Sequence, residues 1–219
     1  MREYIRNNKW TLLITSGVIL LPVLGGILLW DRLPQQLPTH WGANGEVDGW
    51  TSKTFAVLGI PALMLVLQYV CFFASAFDPK RRNIRGKMLG LALWIIPVLN
   101  LFLHVMIYLT ALERDIQITV MMPLFMGALW VIVGNYLPKC QQSYTLGIKL
   151  PWTLADEETW NVTHRMAGKL WVAGGLATML CALLPTGVAI FVLLGILLSM
   201  VLIPTVYAYR FYRKKQTRS

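Results

Sequence analysis

One histidine and two acids in the second half of the chain are the residues best suited to catalysis. Glu157 and His164 are seven positions apart, which places them on one face of a helix. His164 would act there as a general base, and Glu157 or Asp156 would orient its ring. A nucleophile is missing, because neither Cys140 nor Ser143 lies in a known signature for nucleophilic catalysis. We therefore predict that the protein is not an enzyme, and a membrane enzyme centred on His164 is kept as an alternative.

The same stretch also fits an interfacial helix. Thr153 as N-cap, with Asp156 three residues on, resembles a capping box and predicts a helix from residue 154 to about residue 165, running into the next apolar span. Acids crowd its first turn, where the helix dipole favours negative charge. In this interpretation the charges face water and Trp160 enters the lipid.

A second group of chemically able residues lies in the segment LPQQLPTHWGANGEVDGW, residues 33–50. His40, Glu46 and Asp48 are zinc-ligand types, but one histidine and two carboxylates in a loop are a weak set. We predict no metal and no other cofactor. The alternatives are recognition of a peptide by Trp41 and Trp50, and a cap that places both tryptophans at the level of the lipid headgroups.

The local sequence predicts a hairpin for residues 33–50. Two prolines prevent a continuous helix, and Asn44-Gly45 favours a tight reversal with positive φ. His40 and Trp41 on one arm would face Asp48 and Trp50 on the other. The predicted ligand-contacting residues of this segment are Pro38, His40, Trp41, Gly45, Asp48, Gly49 and Trp50.

Polar residues inside apolar spans form the third candidate group. Asn100 and His104 are four residues apart and share a helix face. A proton or ion path would use such residues, but it usually also needs an intramembrane carboxylate, and no Asp or Glu lies deep in any apolar span. The other interpretation is that the pair forms hydrogen bonds between helices.

The elements that must position these residues are membrane-spanning helices. Of the 219 residues 56% are hydrophobic and only 14% charged, whereas a soluble domain carries about a quarter charged residues. Apolar runs near 20 residues are long enough to cross a bilayer as helices. We predict an all-α membrane protein with six transmembrane helices, at residues 10–30, 55–77, 88–111, 118–136, 166–184 and 188–209. The first span is predicted to be retained rather than cleaved as a signal peptide.

Lysine and arginine positions predict the orientation. Seventeen of the 20 basic residues fall in the N-terminus, the loops after spans two and four with the start of span five, and the C-terminal tail. The other three are Arg32, Lys53 and Arg114. The positive-inside rule therefore predicts both termini in the cytoplasm, residues 33–50 outside and residues 137–165 inside.

The same distribution excludes other classes of protein. The net charge of +10 sits at the ends of apolar runs, so it orients helices and does not indicate direct nucleic-acid binding. Three widely spaced cysteines without a CxxC pair indicate neither a disulfide framework nor a thiolate metal site. The partners expected from composition are the lipid bilayer and a ligand of the polar segments.

The two polar segments together resemble the bacterial SdpI family. The second reads GNYLPKCQQSYTLGIKLPWTLADEETWNVTHRMAG, residues 134–168. The family pattern is close to GN-Y-PK, then GI-(R or K)-x-PWTL, then W-x-x-TH-R-x-G. Its positions here include Asn135, Tyr136, Pro138, Lys139, Gly147, Lys149, Pro151, Trp152, Thr153, Trp160, Thr163, His164 and Arg165. The first segment resembles a small domain of unknown function common near the N-terminus of that family.

Two departures from the family pattern concern the loop before the PWTL core. Lys149 stands where arginine is usual, and Gln142-Ser143 stands where Pro-Asn is usual. Arginine and lysine are not equivalent at a bidentate site. Any carboxylate contact at position 149 would therefore be looser here.

The resemblance implies immunity to a secreted antimicrobial toxin peptide in the cell membrane of a bacterium. It also implies signalling, in which the toxin-engaged protein holds a cytoplasmic transcriptional repressor at the membrane. We predict an N-terminal half, residues 1–110, with the toxin-contacting segment, and an SdpI-like half, residues 111–219, with the regulatory segment. The alternative from another class is a proton-coupled transporter or exporter of a peptide or amphiphile.

Overall fold

The computed structural model describes residues 2–84 and 86–217, so Arg85 and Arg218, which belong to the basic clusters above, lie outside the described residues. Its helices are α1 Arg2–Leu28, α2 Ile60–Phe77, α3 Lys87–Ala111, α4 Ile118–Tyr136, α5 Pro151–Ala155, α6 Glu157–Leu180 and α7 Thr186–Gln216. Its strands are β1 Gln36–Trp41 and β2 Val47–Ser52. Within the described part of the chain, six helices are long and apolar enough to cross a membrane. The prediction of a six-span helical membrane protein is confirmed.

The last two spans are longer than predicted. Helix α6 begins at Glu157 rather than at residue 166, and α7 continues to Gln216 rather than ending near residue 209. Both extensions are polar, so the apolar pattern from which the spans were predicted does not include them. The residues of the THR motif therefore lie on the first turns of a spanning helix.

The first compact unit contains Met1–Phe77 and Leu89–Ile118. In it Leu33 and Leu37 of the hairpin segment form a buried cluster with Ala56 and Val57, in the turn before α2, and with Ile107 and Tyr108 of α3. Lys53 is 7% exposed, and its Nζ donates to the carbonyl oxygens of Trp30 (3.0 Å) and Leu33 (2.8 Å). These bonds connect the end of β2 to the chain that leaves α1.

Buried polar side chains connect the helices of this unit. Asn100 Nδ2 donates to the carbonyl of Ile19 at 2.9 Å, and Gln68 Nε2 donates to Thr15 Oγ1 at 2.7 Å. In an apolar surrounding a hydrogen bond of this kind stabilises helix association.

The second unit contains Asp78–Met88 and Thr119–Ser219. Helices α4 and α6 approach closely through two glycines on each, spaced seven apart. A Cβ on Gly127 would lie 2.5 Å from the carbonyl oxygen of Gly175, and one on Gly134 would lie 2.8 Å from the amide nitrogen of Val172. Small residues allow such close contact between membrane helices. The first glycine of the GNYLPK motif is therefore a packing residue.

Candidate functional site

The first polar segment forms the predicted hairpin. β1 and β2 pair antiparallel, with His40 opposite Gly49 and with irregular register on both sides of this pair. His40 Nδ1 contacts Asp48 Oδ1, as predicted, and both side chains are exposed. The tryptophans do not face each other, because Trp41 pairs with Val47 and Trp50 pairs with Pro38.

The reversal of this hairpin is wider than an Asn-Gly turn. Gly45 has the expected positive φ of 85°, but Asn44 does not share it. The amide of Gly42 donates to the carbonyl of Glu46 at 2.8 Å, so the chain turns over residues 42–46. Asn44 Oδ1 accepts from the amide of Glu46 at 3.2 Å, which supports this wider loop.

The two faces of the hairpin differ. Leu37 and Pro38 are buried against the helices, so Pro38 is not available for ligand contact. His40, Asp48 and Trp50 project outward, and Trp50 is 56% exposed. Of the predicted contact residues, these three form the exposed surface. A Cβ on Gly49 would lie 2.9 Å from His40 Cβ, so Gly49 serves the pairing of the strands.

In the second polar segment, the loop after α4 folds back over α6. Trp160 is fully buried, and its Nε1 donates to the carbonyl of Cys140 at 2.7 Å. His164 stacks on Trp160 with ring centroids 4.1 Å apart. The interpretation that places Trp160 in lipid is therefore wrong, because the loop at residues 140–150 covers its ring.

His164 uses both ring nitrogens within this contact. Its Nδ1 donates to the carbonyl of Trp160 at 2.8 Å, and its Nε2 accepts from the amide of Ile148 at 2.9 Å. The side chain is 1% exposed. A ring held in this way lacks a free nitrogen for general base catalysis and instead fixes the loop to the helix.

Gly147 makes this contact sterically feasible. Its φ is +106°, and a Cβ there would lie 2.6 Å from His164 Nε2 and 2.7 Å from the ring of Trp160. Glycine alone adopts this conformation without strain. The GIK, W and TH parts of the motif, represented by Gly147, Trp160 and His164, thus pack against one another.

Thr153 has a different role from the predicted one. It lies within α5, where its Oγ1 accepts from the amide of Leu150 at 2.9 Å and donates to the carbonyl of Ile148 at 2.8 Å. The N-cap of α6 is Asp156, whose Oδ2 accepts from the amide of Thr159 at 2.8 Å. The predicted start at residue 154 is therefore wrong, since the chain breaks at Asp156 between α5 and α6, but from Glu157 the helix runs into the apolar span as predicted.

The remaining motif residues divide by exposure. Thr163 is buried, Trp152 packs on Tyr209 with centroids 5.2 Å apart, and Lys139 lies 4.8 Å from the ring of Tyr136. Pro138 would contact a Cβ on Gly168 at 2.7 Å. The motif residues with exposed side chains are Asn135, Pro138, Lys139, Lys149, Pro151 and Arg165. Lys149 Nζ donates to the carbonyl of Thr145 at 3.0 Å, so its described contact is not to a carboxylate.

Asp78 connects this loop to the basic loop after α2, and the sequence interpretation did not include it. Its carboxylate, 3% exposed, accepts from the amides of Lys80 (2.7 Å) and Tyr144 (2.9 Å) and from Thr145 Oγ1 (2.6 Å). The sequence did contain a signal for Asp78, because it is a single acid that directly follows an apolar span and precedes a run of basic residues.

Gln142 is the second residue that sequence reasoning missed. It is 6% exposed, and its Nε2 donates to the carbonyls of Thr153 (2.8 Å) and Leu154 (3.0 Å). Its Oε1 accepts from Lys80 Nζ, and its own carbonyl accepts from Asn83 Nδ2 at 2.8 Å. The position at which this chain departs from the family pattern therefore joins three segments.

Two ionisable groups outside the spans are shifted by this environment. Burial raises the pKa of Cys140 from its ordinary value of 9.0 to about 11, so the thiol is protonated at neutral pH. Burial acts to raise the pKa of Asp156, but hydrogen bonds from Lys215 and Thr159 outweigh it and lower the pKa. Lys215 Nζ contacts Asp156 Oδ1 at 2.7 Å and Glu158 Oε2 at 2.9 Å, which connects the end of α7 to the start of α6.

Among the described residues, no group of three or more His, Cys, Asp and Glu side chains is placed to hold a metal ion. His40 and Asp48 contact each other, but among the described residues no third side chain of these types joins them to complete a metal site.

Comparison with known proteins identifies both segments. Residues 139–208 match the model of the SdpI/YfhL protein family, and residues 17–65 match a domain of unknown function (DUF1648). The SdpI/YfhL match thus begins within the second polar segment and includes its PWTL and THR motifs. The resemblance inferred from the motif is confirmed.

The SdpI/YfhL match covers most of the loop over α6, together with α5, α6 and most of α7. Over 202 residues the chain is 26% identical to the "Immunity protein SdpI" of Bacillus subtilis (strain 168), which covers 92% of this chain and 96% of that protein. No solved structure matches the chain. The similarity to this protein and the six apolar helices together make the chain a multi-pass protein of the cell membrane.

Asn100 and His104 lie outside both matched regions. Besides the bond of Asn100 to Ile19, His104 Nδ1 lies 2.8 Å from the carbonyl oxygen of Asn100, and its Nε2 lies 3.1 Å from that of Ala56. A neutral imidazole carries one N–H and donates one of these bonds at a time. The pair thus connects α1, α3 and the turn before α2, as the helix-contact interpretation expected.

Proposed function

We propose that this chain is a membrane immunity protein that protects its cell from a secreted antimicrobial peptide. The similarity to Immunity protein SdpI, which extends over nearly the full length of both chains, is the observation that carries the proposal. The SdpI/YfhL segment with its intact GNYLPK, PWTL and THR motifs supports it. The role is one of binding and not of catalysis.

We propose that both termini and the second polar segment face the cytoplasm. The strong bias of lysine and arginine supports this orientation. The basic loop after α2 and the loop at residues 137–150 contact each other in the second unit, so they lie on the same side of the membrane. This fits the positive-inside rule, which assigns both loops to the cytoplasm because both are rich in basic residues. The hairpin would then face outward, where a secreted peptide arrives.

We propose the exposed face of the hairpin as the toxin contact. His40, Asp48 and Trp50 present an imidazole, a carboxylate and a large aromatic ring on a surface held by paired strands. Aromatic anchors with adjacent polar groups are typical of energetically important contacts. The buried underside, packed on α3 and on the turn before α2, would keep this face pre-organised for binding.

We propose the exposed residues of the second polar segment as the contact for a cytoplasmic repressor. The buried motif residues hold the loop, so a partner would meet the exposed ones. Tyr144, which is 50% exposed, and the exposed cations Lys139, Lys149 and Arg165 are available there. A surface of this charge suits an acidic partner.

The decisive experiment measures survival of a toxin-sensitive bacterium that expresses this chain and is challenged with the secreted peptide of the SdpI system. Protection by the natural chain, and its loss in Trp50→Ala at equal membrane abundance, is the expected result. Trp10→Ala is the matched control, because Trp10 is also a largely exposed tryptophan but lies on α1.

Three outcomes would contradict this proposal. Absence of protection by the natural chain would reject the immunity role against this peptide. Loss of protection when the proton gradient is abolished would favour a transporter, and cleaved or modified toxin after incubation with membranes would favour an enzyme.

A further inference from the structure

The second unit contains a polar cavity of about 610 Å³ beside the loop that follows α2. Its lining includes Lys80, Arg81, Arg82, Asn83, Gln142 and Glu157. Residues 79–83 lie outside both regions that match known families, whereas Gln142 and Glu157 lie within the SdpI/YfhL segment. The immunity proposal assigns no role to this cavity.

The wall of the cavity is held in place by buried contacts. Arg81–Asn83 form a 3-10 turn, and Ile84, directly after it, is 1% exposed. Asn83 Nδ2 donates to the carbonyl of Gln142 at 2.8 Å, and Lys80 Nζ donates to Gln142 Oε1. The cations at this turn are therefore presented by a fixed backbone.

The charge of the cavity is unbalanced. Lys80, Arg81 and Arg82 line it together with one acid, Glu157. The carboxylate of Asp78 is not part of this lining and accepts hydrogen bonds from Thr145 and two backbone amides, so its negative charge reduces the positive charge of the region without cancelling it. Among the described residues neither arginine has an ion pair, whereas Lys215 pairs with two acids. A net charge near +2 favours an anionic ligand, and guanidinium groups bind phosphate oxygens with particular geometric preference.

The position of the cavity identifies the kind of anion. Helix α2 ends at Phe77 and α3 begins at Lys87, and both cross the membrane. The cavity loop at residues 79–83 therefore lies at the depth of the lipid headgroups. Basic pockets at the ends of spanning helices recognise anionic headgroups.

We propose that this cavity binds the headgroup of an anionic phospholipid. Arg81 and Arg82 donate to the phosphodiester oxygens, and Lys80 adds positive charge beside them. Glu157 accepts from a hydroxyl of the headgroup, so a hydroxyl-bearing headgroup such as that of phosphatidylglycerol fits best. The proposal does not depend on the immunity role, and its failure would leave that role untouched.

The test titrates the purified full chain, in a neutral detergent, with dioctanoyl phosphatidylglycerol and separately with dioctanoyl phosphatidylcholine. We expect one phosphatidylglycerol site that binds about tenfold or more tightly than phosphatidylcholine. Arg81→Gln/Arg82→Gln should reduce this preference to about twofold or less. Arg210→Gln/Lys214→Gln is the matched control, since it removes two exposed positive charges from α7 outside the cavity and should keep the preference.

A second variant separates loss of the ligand from loss of the fold. Glu157→Gln raises the net charge of the cavity and should bind phosphatidylglycerol about two- to threefold more tightly, a gain that misfolding cannot produce.

Equal affinity for the two lipids, or an equal loss in the control variant, would overturn the proposal. So would glycerol 3-phosphate binding as tightly as the lipid, which indicates a free phosphate ligand. Tighter binding of an acidic peptide would also overturn it and assign the cavity to a protein partner.

Discussion

The hydroxyl of Thr145 donates a 2.6 Å hydrogen bond to Oδ2 of Asp78, which lies 67 residues earlier in the chain. The same oxygen accepts from the amide of Tyr144 at 2.9 Å, and the other carboxylate oxygen accepts from the amide of Lys80. One buried carboxylate thus satisfies donors from two loops. This contact gives the SdpI/YfhL loop a fixed neighbour that lies outside the family-matched residues.

We predict that Asp78→Ala lowers the free energy of unfolding by about 2–3 kcal/mol, because three partly buried donors lose their acceptor. Thermal unfolding of the purified protein in detergent measures the change. Asp115→Ala removes an exposed carboxylate and should change stability by no more than about 0.5 kcal/mol. Equal stability of the two variants would show that the Asp78 bonds contribute little.

Gly147→Ala should be destabilising for two separable reasons. Alanine at a φ of +106° is strained, and its Cβ would lie 2.6 Å from His164 Nε2. Gly86→Ala is the matched control, because Gly86 has a φ of +61° and no heavy atom within 4 Å of a Cβ. We expect a loss of about 1 kcal/mol for Gly86→Ala from strain alone, and about 2–5 kcal/mol for Gly147→Ala. Similar losses in thermal unfolding would contradict the packing of the loop on His164.

The spans and the hairpin could be predicted because their signals are local. Each span is an apolar run of sufficient length, and the reversal near Gly45 follows from residues adjacent in the chain. Even so, the capping rule selected Thr153 over Asp156. Both are good N-cap types, and the contacts of Thr153 with Ile148 and Leu150 decided which one begins α6.

The contacts of the second polar segment could not be predicted in this way. Trp160 is buried under a loop in which the carbonyl of Cys140, 20 residues away, accepts its N–H, and no local pattern distinguishes this from a tryptophan in lipid. The positions of Asp78 and Gln142 depend on how two loops approach each other. The motif was visible as a pattern, but its residues act mainly by packing.

The thiol of Cys140 should react very slowly in the folded protein. Its pKa of about 11, raised by burial from 9.0, leaves about 100-fold less thiolate at pH 7.5 than an ordinary cysteine has. Burial favours the protonated thiol over the thiolate, so the folded state becomes less stable when the thiol loses its proton. Its contribution to stability is complete below pH 9 and is lost as the pH rises through 11.

The measurement is the rate of N-ethylmaleimide labelling in a Cys71→Ala/Cys181→Ala background. Cys140→Ala/Gln141→Cys in the same background is the control, because position 141 is adjacent and exposed. We expect fast labelling of the control and fast labelling of Cys140 only after unfolding in detergent. Rapid labelling of folded Cys140 would contradict its burial beside the Trp160 contact.

Two histidines should give opposite patterns of stability and protection. His164→Ala leaves the amide of Ile148 without its acceptor and removes the ring stacked on Trp160, so we expect a loss of about 3 kcal/mol in unfolding free energy and low membrane abundance. His164→Gln keeps a side-chain acceptor and should recover part of this loss.

His40→Ala changes an exposed side chain and should alter stability by no more than about 0.5 kcal/mol. Under the proposed function, however, His40→Ala reduces survival in the toxin challenge at normal abundance, because it alters the exposed face of the hairpin. Full protection by His40→Ala would contradict that contact, and normal stability of His164→Ala would contradict the structural role of the buried histidine.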